Sequence, residues 1–287
     1  MLGFGTKARV DSEGRRLPGP FGRFYLRELI NSGGMADLWL ATDEHHMTCA
    51  IRCLRESGRF DFAARKRFQR GCEILAAVHD HDAIIGYLEH GKIEGTWYVA
   101  LEYVEGANLK VLMGHNDPQL EEFAGNVLID AARALEHVHD RGYMHLDFKP
   151  ENIMVTRNGS VRLVDFDLAR PRPEFPEKLP ENPGTPAYMA PEQLQREPVD
   201  HRADIFAFGV TAYELLTFQK PFPGESPTEI LTRQLNRTPD FVPPRQLNEA
   251  IPPALERVIL KCLEADPARR YPFMSVVVRD LQAVLYV

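Results

Sequence analysis

Apolar and polar positions first fall into short extended runs. Phe24-Tyr25-Leu26-Arg27-Glu28-Leu29-Ile30 is followed by the glycine-containing break Asn31-Ser32-Gly33-Gly34-Met35-Ala36 and then by Asp37-Leu38-Trp39-Leu40-Ala41. This pattern predicts strand, turn, strand. Cys49 to Leu54 reads as a third strand. Between Phe62 and Val78 the period changes: Phe68, Cys72, Leu75 and Val78 recur at helical spacing and predict a helix with one face in a core. Ile84 to Leu88 and Trp97 to Val104 are again strand-like, the second leading into the turn-forming Glu105-Gly106-Ala107-Asn108. Beyond it the pattern is helical. Leu120, Phe123, Val127, Ala131, Leu135 and Val138 mark one face of a long helix that stops at Arg141-Gly142, with the glycine just past the end. Ala203 to Thr217, Pro253 to Leu263 and Met274 to Leu285 predict three more helices.

These elements imply an α+β chain: a small, mostly β lobe with one helix over about residues 21–101, a connection over about 102–106, and a larger, mostly helical lobe over about 107–287. Residues 1–20, rich in Gly, Pro and Arg, read as a flexible tail. Pro171, Pro173, Pro176, Pro180 and Pro183 interrupt regular structure between Asp165 and Gly184. An irregular segment of that length inside a domain is usually functional or disordered.

Composition narrows the partners. With 287 residues, 44% of them apolar, the chain can bury a sizeable core and divide into two lobes around a cleft. A net charge of −7 without a basic stripe argues against a nucleic-acid partner. Cys49, Cys53, Cys72 and Cys262 show no CxxC spacing, so reduced thiols and a cytoplasmic location are expected. No apolar run approaches the roughly 20 residues of a membrane helix, and residues 1–20 lack the apolar stretch of a secretion signal, so no membrane segment is expected within this chain.

The candidate chemistry lies in Tyr143-Met144-His145-Leu146-Asp147-Phe148-Lys149-Pro150-Glu151-Asn152, which sets an acid, a cation and a metal-capable amide in one loop. Asp165-Phe166-Asp167 adds a carboxylate behind the apolar run Val161 to Val164. Phosphoryl transfer requires positioning and charge neutralisation more than covalent chemistry, and such a set offers both. An isolated Asp or Asn in a loop is more often a turn former; the ordered set is what favours a site.

Five motifs in order carry a resemblance: Gly33-Gly34-Met35; His145-x-Asp147-x-Lys149-Pro150 with Asn152 and Ile153; Asp165-Phe166; Gly184-Thr185-Pro186-x-Tyr188-Met189-Ala190-Pro191-Glu192; and Asp204 to Gly209. Over about Phe21 to Val287 the chain resembles the protein kinase superfamily, most closely the eukaryotic-like Ser/Thr kinases of bacteria. The resemblance implies a two-lobed protein kinase fold that binds ATP with Mg²⁺ or Mn²⁺ in the interlobe cleft and acts on a protein substrate or regulates a protein partner. It implies that Asp147 accepts or orients the substrate hydroxyl proton, that Lys149 neutralises the moving phosphoryl group, and that Asn152 and Asp165 hold the metal. It assigns nucleotide contacts to Ile30, Gly33, Leu38, Ala50, Arg52, Leu101, Glu102, Val104 and Met154. Here Leu101 is the gatekeeper, Glu102 to Val104 the hinge, and Leu38, Ala50 and Met154 the residues around the base. Plain core packing is the alternative account of the same apolar residues. Glu192 and Arg270 match the family's buried ion pair.

The chain also departs from the family. Arg52 replaces the strand Lys, and a planar guanidinium reaches differently from an ammonium. The helix Glu that pairs with that Lys falls on Gly71, with Glu73 the nearest acid but about 200° around the helix. Asn31 and Ala36 stand where the hairpin turn has glycines, and Asp167 follows Asp165-Phe166 in place of glycine. Asp167 either strengthens metal binding or hinders a backbone conformation that glycine permits. Leu146 replaces the Arg that receives an activation-loop phosphate, and Phe166 to Pro183 contains no Ser, Thr or Tyr, so switching by phosphorylation of that segment is not expected. Two readings follow: an attenuated protein Ser/Thr kinase, or a pseudokinase that acts as a regulatory scaffold. A small-molecule phosphotransferase is disfavoured by the Gly184 to Glu192 stretch and Arg270.

Overall fold

A six-stranded antiparallel sheet organises the first part of the chain. In the computed structural model, residues 16–33, 35–55, 62–236 and 241–285 are described. The strands are β1 (Gly19–Phe21), β2 (Phe24–Ser32), β3 (Ala36–Thr42), β4 (Thr48–Leu54), β5 (Tyr87–Ile93) and β6 (Thr96–Glu102), with helix α1 (Phe62–Val78) between β4 and β5. Their spatial order is β1-β2-β3-β4-β6-β5. Alternation along β4 sorts its side chains: Cys49, Ile51 and Cys53 join a core with Phe21, Phe24, Leu26, Trp39, Ala41, Tyr98 and Ala100. On the other face Ala36, Leu54 and Val99 pack with Phe68 and Cys72 of α1.

Two expectations need correction here. The tail does not extend to Pro20. Residues 1–15 lie outside the described residues, but Gly19 and Pro20 pair with Leu26 and Tyr25, and Arg16 holds Glu94 at 2.9 Å and lies over the Phe21 ring. The strand expected over Ile84 to Leu88 is displaced. Ile84 bridges Leu163 instead, and β5 begins at Tyr87 and continues through the polar Glu89-His90-Gly91-Lys92. It is an edge strand, so a half-exposed polar sequence suits it.

The chain divides into two compact units, the first comprising Met1–Asp80 and Ile85–Val104 and the second His81–Ile84 and Glu105–Val287. The second contains β7 (Gly106–Asn108), α2 (Leu109–Gly114), α3 (Gln119–Asp140), β8 (Tyr143–Met144), β9 (Ile153–Thr156), β10 (Val161–Leu163) and β11 (Arg170–Pro171). It continues with α4 (Pro191–Leu194), α5 (Arg202–Thr217), α6 (Pro227–Leu235), α7 (Pro244–Leu247), α8 (Pro253–Cys262) and α9 (Met274–Leu285). Helix α3 packs on α9, and α5 on α8. Helix α3 ends as its sequence requires, with Gly142 at a φ of 83°, a left-handed value that glycine takes without strain. Helix α5 is buried on nearly every side, which explains why its sequence is apolar all round rather than striped. Among the described residues no helix is long and apolar enough to cross a membrane. The class is α+β, a β-sheet unit with one helix followed by a mostly helical unit.

Candidate functional site

In the second unit a hairpin sets two of the candidate residues side by side. Strands β9 and β10 pair antiparallel, with Ile153 opposite Leu163, and the Val164 N–H donates to Asn152 O at 2.9 Å. Asn152, just before β9, and Asp165, two residues past β10, therefore emerge at the same end. A single 3₁₀ turn over Pro150–Asn152, begun by a proline whose missing N–H is not needed there, folds the loop back on itself. Lys149 Nζ then donates to Asp147 Oδ2 at 2.8 Å and to Thr185 Oγ1 at 3.1 Å. Asn152 Nδ2 donates to Asp147 Oδ2 at 2.9 Å and to Asp147 O at 2.8 Å. Both side-chain bonds fall on Oδ2. With Nδ2 committed to Asp147, the atom of Asn152 whose lone pairs suit a cation is its side-chain oxygen.

Beneath this loop lies the buried carboxylate that opens the Asp204 to Gly209 motif. Asp204, in the first turn of α5, has no exposed surface and accepts three hydrogen bonds: from His145 N–H at 2.8 Å, Leu146 N–H at 2.7 Å and His139 Nε2 at 2.9 Å. Burial pushes its carboxyl up, but the bond and charge of His139 and the His145 amide outweigh that, and the net displacement is downward. Leu146 sits at a φ of 61°, a left-handed value costing a β-carbon-bearing residue roughly 1–2 kcal/mol. The bond from its amide to Asp204 holds it there. A signal did exist in the sequence: a lone carboxylate opening an otherwise apolar helix has to be paired.

Asp165 shares this feature, with a φ of 60°, while its Oδ1 accepts from the Asp167 N–H at 3.3 Å. The left-handed residue of this segment is thus Asp165 and not Asp167, so the missing glycine does not strain position 167. The Asp167 side chain is buried. Phe166 turns inward, its ring edge-on to His145 at 4.9 Å. Further along, Arg270 clasps Glu192 through two bonds of 2.6 and 2.7 Å in full burial, the bidentate arrangement in which a guanidinium ion pair is strongest.

The remaining candidates lie in the first unit, apart from Met154 in β9. Cross-strand pairing sets Leu38 opposite Arg52, Arg52 opposite Val99 and Ala50 opposite Leu101, so these side chains share the face on which α1 packs. Ile30 is the extra residue of a β-bulge and is exposed. The Gly33 N–H donates to Ala36 O at 3.1 Å across the turn, and Gly34 lies outside the described residues. Glu102 accepts from the Gly86 N–H at 2.9 Å and donates its own N–H to Gly86 O at 2.8 Å, while Val104 ends the unit. The Arg52 guanidinium lies 5.5 Å from the centre of the Phe68 ring. Gly71 is buried and Glu73 is exposed, so Glu73 does not take the place of the missing helix acid.

The cysteines are not nucleophile candidates. All four are buried and outside any disulfide, and burial lifts the Cys49 thiol to about 11 and Cys53 to about 12. Among the described residues no three His, Cys, Asp or Glu side chains gather as a metal site. Asn152 and Asp165 nevertheless fit a cation such as Mg²⁺, which takes one or two protein ligands together with phosphate oxygens and water.

A family model described as a protein kinase domain matches residues 24–281. Serine/threonine-protein kinase PknB of Mycolicibacterium smegmatis is 33% identical over 267 residues, which cover 90% of this chain and 42% of that protein. PknB of Mycobacterium tuberculosis is 32% identical over 270 residues, covering 91% and 43%. A probable serine/threonine-protein kinase of Streptomyces coelicolor is 33% identical over 281 residues, covering 95% and 41%. The chain spans about two fifths of the length of these curated relatives. By motif order, architecture and extent of match, the chain belongs to the protein kinase family, among the eukaryotic-like Ser/Thr kinases of bacteria.

Proposed function

We propose that residues 21–287 form a Ser/Thr protein kinase domain that binds Mg-ATP and transfers phosphate to a protein hydroxyl at an attenuated rate. The observation that carries this reading is the bonded set of Asp147, Lys149, Asn152 and Thr185, with Asp165 beside it. Asp147 orients the incoming hydroxyl and takes its proton, and Lys149, already paired to Asp147, offsets charge on the moving phosphoryl group. The metal, when bound through Asn152 and Asp165, neutralises phosphate oxygens. Leu38, Ala50 and Met154 serve the base, Leu101, Glu102 and Val104 its edge, and Ile30, Gly33 and Arg52 the sugar and phosphates. Four buried thiols outside any disulfide suit a reducing, cytoplasmic setting.

Attenuation rests on residue type at two positions: Arg52 stands where the family has Lys, and α1 presents Gly71 where the family has its acid. A clamp weakened by roughly 3 to 5 kcal/mol slows transfer by about 10² to 10⁴. The same observation favours a second reading, a pseudokinase scaffold that regulates a partner protein.

Thermal unfolding with nucleotide tests the proposal. A ligand bound only by the folded state at a hundred times its Kd stabilises it by about 2.7 kcal/mol. Mg-ATP should raise the melting temperature of the wild type, and Asp165→Ala should remove the part that depends on Mg²⁺. Wild-type melting unmoved by ATP or ADP, with Mg²⁺ or Mn²⁺, would overturn nucleotide binding and leave the scaffold.

A further inference from the structure

The neck of the β2–β3 hairpin is tied by side chains rather than freed by glycines. Ser32 and Asp37 face each other across it. Ser32 Oγ donates to Asp37 Oδ1 at 2.8 Å, and Arg55 Nε donates to the same oxygen at 2.7 Å. A second guanidinium nitrogen of Arg55 contacts Ser32 Oγ. Arg55 follows β4 directly, and its own N–H donates to Met35 O at 2.9 Å; from α1, Arg67 Nη2 reaches Met35 Sδ at 3.7 Å. One arginine thus grips both arms of the hairpin, by side chain at the neck and by backbone nearer the turn.

The ion pair is an expensive way to obtain stability alone. Asp37 is 4% exposed, and desolvating a carboxylate offsets most of what its partner returns. What such a pair does supply is a fixed geometry. The chain has Asn31 and Ala36 where glycines would let backbone N–H groups approach a phosphate. We propose that Asp37, Arg55 and Ser32 are positioning residues for the nucleotide phosphates, holding the two arms of the hairpin in a fixed register beside the turn. They touch no reacting atom. The inference rests on the Mg-ATP reading above, and preorganisation of this kind is expected to act on affinity rather than on stability.

Adenosine separates the two effects, because it carries the base and sugar without phosphates. Calorimetric Kd values for Mg-ATP and for adenosine are compared in the wild type, Arg55→Gln, Arg55→Lys and Asp37→Asn, each melted without ligand to confirm folding. Arg55→Gln should weaken Mg-ATP by about tenfold while adenosine stays within about twofold. Arg55→Lys, which keeps a charge on Asp37 but cannot also reach Ser32, should fall between. If the buried Asp37→Asn does not fold, the two Arg55 variants decide. An unchanged Mg-ATP affinity in folded Arg55→Gln, or equal losses for both ligands, overturns the inference and leaves the nucleotide reading standing. A wild type that does not bind Mg-ATP overturns both.

Discussion

Asp204 holds the backbone of His145 and Leu146 from below, so its removal strands two buried amides. Each unsatisfied buried donor costs about 1–3 kcal/mol. Asp204→Ala should therefore lower unfolding stability by about 3 kcal/mol or more in a denaturant titration, even though no candidate catalytic group changes. The carboxyl titrates below its ordinary value of 3.8 in the folded chain. Its contribution is fully present above that value and is lost as pH falls through the lower folded one, because the unfolded chain takes up the proton first. Acid unfolding of the wild type should steepen below about pH 4, and Asp204→Asn should flatten that limb. Arg52 poses the opposite question, of a charge present in the wrong shape. Arg52→Lys should raise phosphotransfer by about tenfold, since an ammonium reaches a phosphate as a compact point charge.

Helix α1 shows what an element conveys by its pattern and what it withholds. Phe68, Cys72, Leu75 and Val78 set its buried face, and the observed Phe62–Val78 matches the span they predict. Gly71 lies three residues from Phe68 and four from Leu75, on that same face, where Arg52 rests. Gly71→Glu combined with Arg52→Lys should therefore raise transfer above either single change, measured as initial rate with Mg-ATP. The segment from Asp165 to Gly184 is fastened by backbone bonds: β11 pairs with β8, Arg172 N–H donates to Gly142 O at 2.7 Å, and Glu177 exchanges backbone bonds of 3.1 and 2.8 Å with Val199. Phosphatase treatment should leave activity unchanged. These pairings were invisible in the sequence, because strands of two residues have no period to detect. The displacement of β5 has another cause. The apolar Ile84 and Ile85 suggested a strand, but Ile84 is occupied by Leu163, and the true strand is a polar edge.

At the scale of the whole molecule, the order of motifs made the kinase fold legible, because loop residues such as His145 to Asn152 lie close in sequence as well as in space. The support beneath them was not legible, since Asp204 and His139 reach that loop only through tertiary packing. The second unit carries the bonded set of Asp147, Lys149 and Asn152, while the first carries Arg52 over the Phe68 ring and the buried Gly71 of α1. The central claim is that the set at Asp147 still performs chemistry. It is tested by transfer of labelled γ-phosphate from Mg-ATP to a protein substrate by the wild type and Asp147→Ala. The account predicts slow but measurable transfer by the wild type, reduced by at least about a hundredfold in Asp147→Ala; transfer undiminished in Asp147→Ala, or none by the wild type, would contradict it.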